Sequence, residues 1–188
     1  MTIGVKPLVK TPITPNQITT LRLITGVSAA LLFAAGDTNF TTIGSAVFIL
    51  SLLLDRADGI LARLTEKTSP GGHKYDLIAD TASNAFVFIG IGVGLRHSEL
   101  GNLAIPLGVV AGLAVTAVFS LVIRAEAQGG NRVAELKSSA GFDPDDGMLL
   151  IPVAMMLDFS NELIIAAATG APLFVIFFFF KFKHLFRA

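Results

Sequence analysis

The 188-residue chain is 53% hydrophobic and 15% charged, and its mean hydropathy of +0.71 lies well above the balance expected of a soluble globular domain. Its formal net charge is zero, which argues against a nucleic-acid partner because such a partner requires a basic face. The sequence contains no cysteine, which excludes a disulfide framework, a thiolate zinc site and a cysteine nucleophile.

Apolar segments long enough to cross a membrane as helices recur along the chain, which predicts one all-α integral membrane domain. Residues 1–15 lack the continuous apolar core of a signal peptide and are predicted to form a juxtamembrane surface segment. Residues 16–188 are predicted to form a six-helix domain, with spans at residues 17–36, 41–63, 75–96, 103–124, 146–158 and 162–181. The fifth span has the shortest apolar core and contains Pro152, so a kink or tilt is expected there.

The distribution of positive charge predicts the orientation of these six spans. Both termini and the two longer connections, near residues 64–74 and 125–145, fall on one side of the membrane. That side carries every Lys and Arg except Arg96, so the positive-inside rule places it in the cytoplasm. A bacterial or archaeal type of cytoplasmic membrane is the expected location.

Two features predict close packing between helices. Gly90 and Gly94, and likewise Gly108 and Gly112, form small-xxx-small pairs on the third and fourth spans. Packing within one chain and a dimer contact both explain these pairs. Asn84 is predicted to form an interhelical hydrogen bond rather than to belong to a site.

Charge is concentrated in residues 53–80, where the apolar pattern is broken. At about 100° per residue, Asp55 and Asp58 share a helix face of roughly 140° with Gly59, Ala62 and Arg63. Asp76 and Asp80 are four residues apart and therefore share a face of the third span. The short connection makes the two helices antiparallel neighbours, so the four carboxylates are predicted to converge.

Four converging carboxylates repel one another in a poorly solvated site unless cations neutralise them. Arg56, Arg63 and Lys74 are too few and too dispersed to do so. All-oxygen ligands favour hard ions, and this arrangement suits two Mg²⁺ or Mn²⁺ ions that also bind phosphate oxygens. A ligand containing pyrophosphate is therefore predicted.

Small residues beside the aspartates indicate room for that ligand. Gly59 and Ala62 lie on the aspartate face, where larger side chains would occupy the space of a diphosphate or a flat ring. Arg63 offers a planar fork of donors for phosphate. The SPGG segment at 69–72 is predicted to form a tight loop before the third span, whose free N–H groups favour anions.

These residues carry a family resemblance. The pattern D-x2-D-G-x2-A-R-x8-G-x3-D-x3-D resembles that of the CDP-alcohol phosphotransferases, and its fixed positions are Asp55, Asp58, Gly59, Ala62, Arg63, Gly72, Asp76 and Asp80. Upstream, PNQITTLR at 15–22 is similar to the family's P-N-x-x-T-x-x-R. With the six spans, the resemblance covers most of the chain.

The resemblance implies a homodimeric membrane enzyme that transfers a substituted phosphate from a CDP-linked donor to an alcohol and releases CMP. The donor implied is CDP-diacylglycerol and the acceptor is a small polar alcohol. The implied metal ligands are Asp55, Asp58, Asp76 and Asp80, with Asp80 also the base for the acceptor hydroxyl. The implied nucleotide and phosphate ligands are Gly59, Ala62, Arg63, Gly72, Asn16, Thr19 and Arg22.

The acceptor is not identified by the sequence. Arg124, Arg132 and Lys137 would bind a phosphate-bearing acceptor, or would serve only as positive-inside charges. Asp146 belongs to DPDD at 143–146, which resembles a helix start and would also help to select an acceptor.

Two other functions use intramembrane aspartates. An ion-coupled transporter or proton-conducting bundle would use them as a relay, but a relay does not require the Gly, Ala and Arg spacing. An aspartate-rich membrane prenyltransferase usually carries its acidic motifs in separate repeats, which the compact pattern here does not match.

Overall fold

The computed structural model describes residues 5–129 and 147–182, and every regular element among them is helical. The α-helices are α1 Pro15–Ala35, α2 Thr38–Leu64, α3 Pro70–Gly94, α4 Ala104–Gly129, α5 Leu150–Met156 and α6 Ser160–Phe182. A 3₁₀ turn at Lys6–Lys10 precedes α1, and two more at Leu95–His97 and Gly101–Leu103 connect α3 to α4. The all-helical class predicted from the sequence is confirmed for these residues.

Polar residues fix the starts of the first two helices. Thr14 caps α1 in a reciprocal capping box with Gln17, and Pro15 occupies the first turn, where its missing N–H costs nothing. The helix ends at Gly36, whose φ of 72° is a left-handed conformation that glycine adopts without strain. Asp37 then caps α2 by accepting from two backbone N–H groups, so the turn between the helices is very short.

The third helix begins earlier than the sequence analysis predicted. Ser69 caps α3, its Oγ accepting from Gly72 N at 3.0 Å, and Pro70 opens the first turn. The prediction of an SPGG loop is therefore wrong, because the Ser-Pro pair is a strong helix-start signal that outweighs the two glycines. The connection from α2 is correspondingly reduced to residues 65–69.

The helices pack with α1 against both α2 and α3, α3 against α4, α4 against α6, and α2 against α5. Glycines permit the closest of these approaches. A Cβ built on Gly90 or Gly94 would collide with backbone carbonyls of α1. One built on Gly108 or Gly112 would lie 2.6 or 2.8 Å from carbonyl oxygens of α3. Both small-xxx-small pairs thus serve contacts within the chain.

Within residues 5–129 and 147–182, four helical segments are long and apolar enough to cross a membrane: Pro15–Ala35, Pro70–His97, Gly101–Leu121 and Ser160–Lys181. The outer face of α6 exposes large apolar side chains suited to lipid, including Leu173, Phe174, Ile176, Phe177, Phe179 and Phe180. The six-span count stays a prediction. The described part of the fifth predicted span holds only α5, whose seven residues rise about 10 Å.

Arg96, the one cation outside the predicted cytoplasmic side, has a structural role at the far end of α3. Its Nη1 donates to the carbonyl oxygens of Ala34 at 3.0 Å and Val93 at 2.9 Å. These carbonyls lie near the C-terminal ends of α1 and α3, where the helix dipoles favour a positive charge. Arg96 therefore ties together two helix ends that would otherwise leave acceptors unpaired.

Candidate active site

The four aspartates of the motif converge near the N-terminal half of α1, and Arg22 of that helix lies among them. Its Nη1 is 2.6 Å from Asp55 Oδ1 and 2.8 Å from Asp76 Oδ1. Its Nη2 is 2.7 Å from Asp80 Oδ1, an ion pair whose N–H direction does not meet hydrogen-bond geometry. The guanidinium thus contacts carboxylates from both α2 and α3 and is itself only 2% exposed.

Neutral side chains also donate hydrogen bonds to members of this cluster. Thr19 Oγ1 donates to Asp58 Oδ2 at 2.8 Å, and Asn84 Nδ2 donates to Asp80 Oδ1 at 2.9 Å. Ser51 Oγ of α2 donates to the backbone carbonyl of Arg22 at 3.0 Å. The predicted interhelical bond of Asn84 is wrong: the residue bonds one turn back within α3, and its partner is a site carboxylate.

The donor set fits a hard divalent cation. Asp55, Asp58 and Asp76 each offer a carboxylate oxygen, and these oxygens all lie within 4.8 Å of one another. Arg22 pairs with three of the four aspartates, and Asp58 bonds to the neutral hydroxyl of Thr19, so carboxylates outnumber this guanidinium in a partly buried site. Oxygen donors with excess negative charge are the ligands that Mg²⁺ and Mn²⁺ prefer.

A cavity of about 190 Å³ opens beside these carboxylates. Asp58 and Asp76 contribute to its wall, together with six of the predicted nucleotide and phosphate ligands: Asn16, Thr19, Gly59, Ala62, Arg63 and Gly72. Lys67 and His73 add positive or titratable groups to the same wall. The cavity therefore combines carboxylates, small residues and cationic side chains.

The two motif glycines shape this cavity in different ways. A Cβ built on Gly59 would meet only the guanidinium of Arg63, at 3.6 Å, so that surface faces open space. A Cβ on Gly72 would lie 3.1 Å from Ser69 Oγ and 3.2 Å from Asn16 Oδ1. Gly72 is thus a point of close approach between α3 and the start of α1.

Several predicted residues lie elsewhere. Arg22, predicted among the nucleotide ligands, lies among the aspartates and is not one of the residues that line the cavity. Among the predicted acceptor ligands, Arg132, Lys137 and Asp146 fall outside the described residues. Arg124 belongs to α4, but its side chain also falls outside them.

Sequence reasoning missed the counter-charge that Arg22 supplies. It counted only cations adjacent to the aspartates, whereas Arg22 is 33 residues before Asp55 in the chain. A usable signal was present: Arg22 is an arginine inside an apolar span, and such a residue requires an acidic or carbonyl partner. The pairing with three aspartates depends on how α1 packs against α2 and α3.

The model of the CDP-alcohol phosphatidyltransferase family matches residues 12–177, most of the chain. The chain belongs to this family. Its matched region includes every motif residue of the site, from Asn16 on α1 to Asp80 on α3. Family membership and four membrane-length apolar helices make the chain an integral membrane protein.

Individual relatives agree with this assignment. A bifunctional IPC transferase and DIPP synthase of Rubrobacter xylanophilus is 32% identical over 87 residues, which is 46% of this chain. The chain matches only 19% of the length of that relative.

The fold is similar to that of phosphatidylinositol phosphate synthase (PgsA1) of Mycobacterium tuberculosis. The apo form gives a TM-score of 0.62 at 23% identity and 94% coverage of each chain. The form with CDP-DAG bound gives 0.58 at 22% identity, covering 90% of this chain and 95% of that one. The complex with manganese and citrate gives 0.57 at 22% identity and 90% coverage of each. At these identities the likeness shows a shared fold.

Proposed function

We propose that the protein is a metal-dependent CDP-alcohol phosphatidyltransferase of phospholipid biosynthesis, which transfers a phosphatidyl group from CDP-diacylglycerol to a small polar alcohol and releases CMP. The observation that carries this proposal is the cavity. It unites the carboxylates of Asp58 and Asp76 with small residues and Arg63, the combination that a nucleotide diphosphate requires. The likeness to a synthase with CDP-DAG bound supports the donor.

In this proposal Asp55, Asp58, Asp76 and Asp80 hold two Mg²⁺ or Mn²⁺ ions. Bound divalent ions would neutralise the diphosphate and stabilise the charge that develops on the leaving group. Carboxylate oxygens of Asp55, Asp58 and Asp76 lie within 4.8 Å of one another, close enough to bind one ion together. The manganese complex of the M. tuberculosis synthase supports this class of metal.

The other site residues are proposed to bind the donor, and Asp80 is proposed to accept a proton. Arg63 and the small residues Gly59, Ala62 and Gly72 receive the diphosphate and cytidine, together with Asn16 and Thr19 of α1. Asp80, held by Asn84, accepts the proton of the acceptor hydroxyl. The hydroxyl oxygen then forms a bond to the lipid-bearing phosphorus, the bond from that phosphorus to the bridging oxygen breaks, and CMP leaves with the electron pair.

The decisive experiment incubates the purified protein with CDP-diacylglycerol and a panel of labelled acceptors, followed by identification of the lipid product. The panel includes inositol phosphate, because the M. tuberculosis protein of similar fold is a phosphatidylinositol phosphate synthase by name, and also glycerol 3-phosphate, serine and inositol. We expect CMP release only with Mg²⁺ or Mn²⁺ and its loss in Asp80→Asn. Absence of cytidine nucleotide binding together with ion movement in liposomes would instead identify a transporter.

Arg124, Arg132, Lys137 and Asp146 are the proposed acceptor ligands. Three of them are cations, which suit an acceptor that carries a phosphate, whereas Asp146 suits an acceptor with an amine. Competition between inositol phosphate and serine in the labelled panel therefore tests this assignment. Substitution of Arg132 or Lys137 by Gln is expected to raise the KM for a phosphorylated acceptor without changing that for CDP-diacylglycerol.

We further propose six spans with both termini and the cavity in the cytoplasm, and a homodimer. The side predicted to be cytoplasmic carries Arg63, Lys67 and His73 around the cavity, whereas Arg96 is bound at two helix ends. Because the sequence contains no cysteine, a single introduced cysteine can be labelled selectively. An impermeant maleimide on intact cells should label Glu99→Cys, whereas Lys74→Cys should require permeabilisation. Light scattering in detergent tests the dimer.

A further inference from the structure

We propose that Arg22 is a positioning residue. Its guanidinium aligns the carboxylates of α2 and α3, and its positive charge competes with divalent metal ions for these carboxylates. This inference rests on the proposed function and concerns how the metal site of this chain is assembled. It also assigns Arg22 a role different from nucleotide binding, because its guanidinium contacts the carboxylates of Asp55, Asp76 and Asp80 and is not itself among the residues that line the cavity.

The contacts of Arg22 bridge two helices. Nη1 bonds to Asp55 of α2 and to Asp76 of α3, and Nη2 pairs with Asp80 one turn further along α3. The planar guanidinium can pair with several carboxylates in fixed directions, whereas an ammonium group cannot. Arg22 therefore sets the separation between the acidic faces of the two helices.

The position of Arg22 is itself fixed. Its side chain is 2% exposed, and its backbone carbonyl accepts a hydrogen bond from Ser51 of α2. Gly26, one turn later, packs so closely that an added Cβ would lie 2.8 Å from Ser83 of α3. With α1 held this near to both neighbours, the guanidinium has little freedom to leave the cluster.

Competition with a metal ion follows from shared ligands. Two of the three carboxylates whose oxygens could hold one cation, Asp55 and Asp76, are also ion-paired to Arg22. A divalent ion bound there would lie close to a fixed positive charge in a partly buried site, where electrostatic repulsion is weakly screened. Removing that charge should therefore tighten metal binding, even though it disturbs the alignment of the carboxylates.

The test measures Mn²⁺ binding to the purified full chain in detergent, from the electron paramagnetic resonance signal of free Mn²⁺. Arg22→Met should bind Mn²⁺ at least about 10-fold more tightly, equivalent to about 1.4 kcal/mol. Arg22→Lys keeps the charge but not the planar fork, so its Mn²⁺ affinity should not exceed that of wild type. Arg96→Met removes a half-buried arginine at the far end of α3 and should leave the affinity unchanged.

Turnover gives a second readout. Arg22→Met should lower kcat, because Asp80 loses one of its partners, and should leave the KM for CDP-diacylglycerol unchanged. A raised KM with unaltered Mn²⁺ affinity would overturn the inference and favour a nucleotide contact. Unchanged or weaker Mn²⁺ binding in folded Arg22→Met would also overturn it.

The design separates this inference from the proposed function. If wild type binds Mn²⁺ and releases CMP but Arg22→Met shows no tightening, only the role of Arg22 fails. If wild type binds no Mn²⁺, the metal-dependent function and the inference fail together. Should Arg22→Met not fold, the neutral donor variant Arg22→Gln carries the same prediction of tighter binding.

Discussion

Thr19 Oγ1 donates a 2.8 Å hydrogen bond to Asp58 Oδ2, and both residues are almost fully buried. The bond joins α1 to α2, so it orients a proposed metal ligand from outside the acidic motif. Partners of this kind fix the direction in which a carboxylate presents its oxygens.

Replacing Thr19 with Val keeps the shape of the side chain and removes the hydroxyl. We expect about a 10-fold loss of Mn²⁺ affinity or turnover, the lower end of the range for a lost partner of a metal ligand. Mn²⁺ titration and CMP release measure the effect. Thr169→Val is the control, because Thr169 is exposed on α6 and its hydroxyl bonds only to backbone of its own helix. Equal effects of both variants would contradict a specific role.

Asn84→Leu removes the 2.9 Å hydrogen bond to Asp80 from a position that is 3% exposed. Because Asp80 is the proposed base, we expect kcat to fall by about 10-fold while the KM for CDP-diacylglycerol stays near wild type. Steady-state kinetics with varied donor concentration measure both constants. Asn102→Leu changes an exposed asparagine between α3 and α4 and should alter neither. An unchanged kcat in Asn84→Leu would show that its bond to Asp80 is irrelevant to turnover.

Gly72→Ala tests the cavity wall where α3 approaches α1. The added methyl would lie 3.1 Å from Ser69 Oγ and 3.2 Å from Asn16 Oδ1, so a wall residue must move. We expect the KM for the CDP-linked donor to rise by about 10-fold, the lower range for one methyl group in a fitted pocket. The neighbouring Gly71→Ala meets nothing within 4 Å and should leave KM unchanged. A similar KM in the two variants would place the ligand elsewhere.

Gly90→Ala tests the packing of α3 against α1. The added Cβ would collide with the backbone carbonyl of Ala30, which cannot move as a flexible side chain could. We expect the free energy of unfolding to fall by about 1–3 kcal/mol, the usual cost of overpacking. Gly170→Ala on α6 meets nothing within 4 Å and should be neutral or stabilising by up to about 1 kcal/mol. Thermal unfolding in detergent compares them, and equal midpoints would refute the proposed contact.

The local pattern of the sequence was sufficient to predict the helical class, the acidic motif and the approximate limits of most of the described helices. Asp55 and Asp58, and likewise Asp76 and Asp80, share a helix face because their spacing follows the helical period. The error at SPGG was also local: Ser69 and Pro70 start α3, and their capping signal was read as a loop. The glycine pairs marked close helix contacts but did not say whether these lay within one chain or between two.

Only the tertiary structure decided which residues complete the site. Arg22 and Thr19 meet the aspartates because α1 packs against both α2 and α3, whereas Asn84 reaches Asp80 through the helical period, from one turn further along α3. Helical periodicity predicts which residues of one helix share a face. The rotation and depth of that helix against its neighbours depend on side-chain packing along the whole contact. The sequence thus determined the carboxylates and the class of ligand they suit, and the packing of α1 determined the charge that faces them.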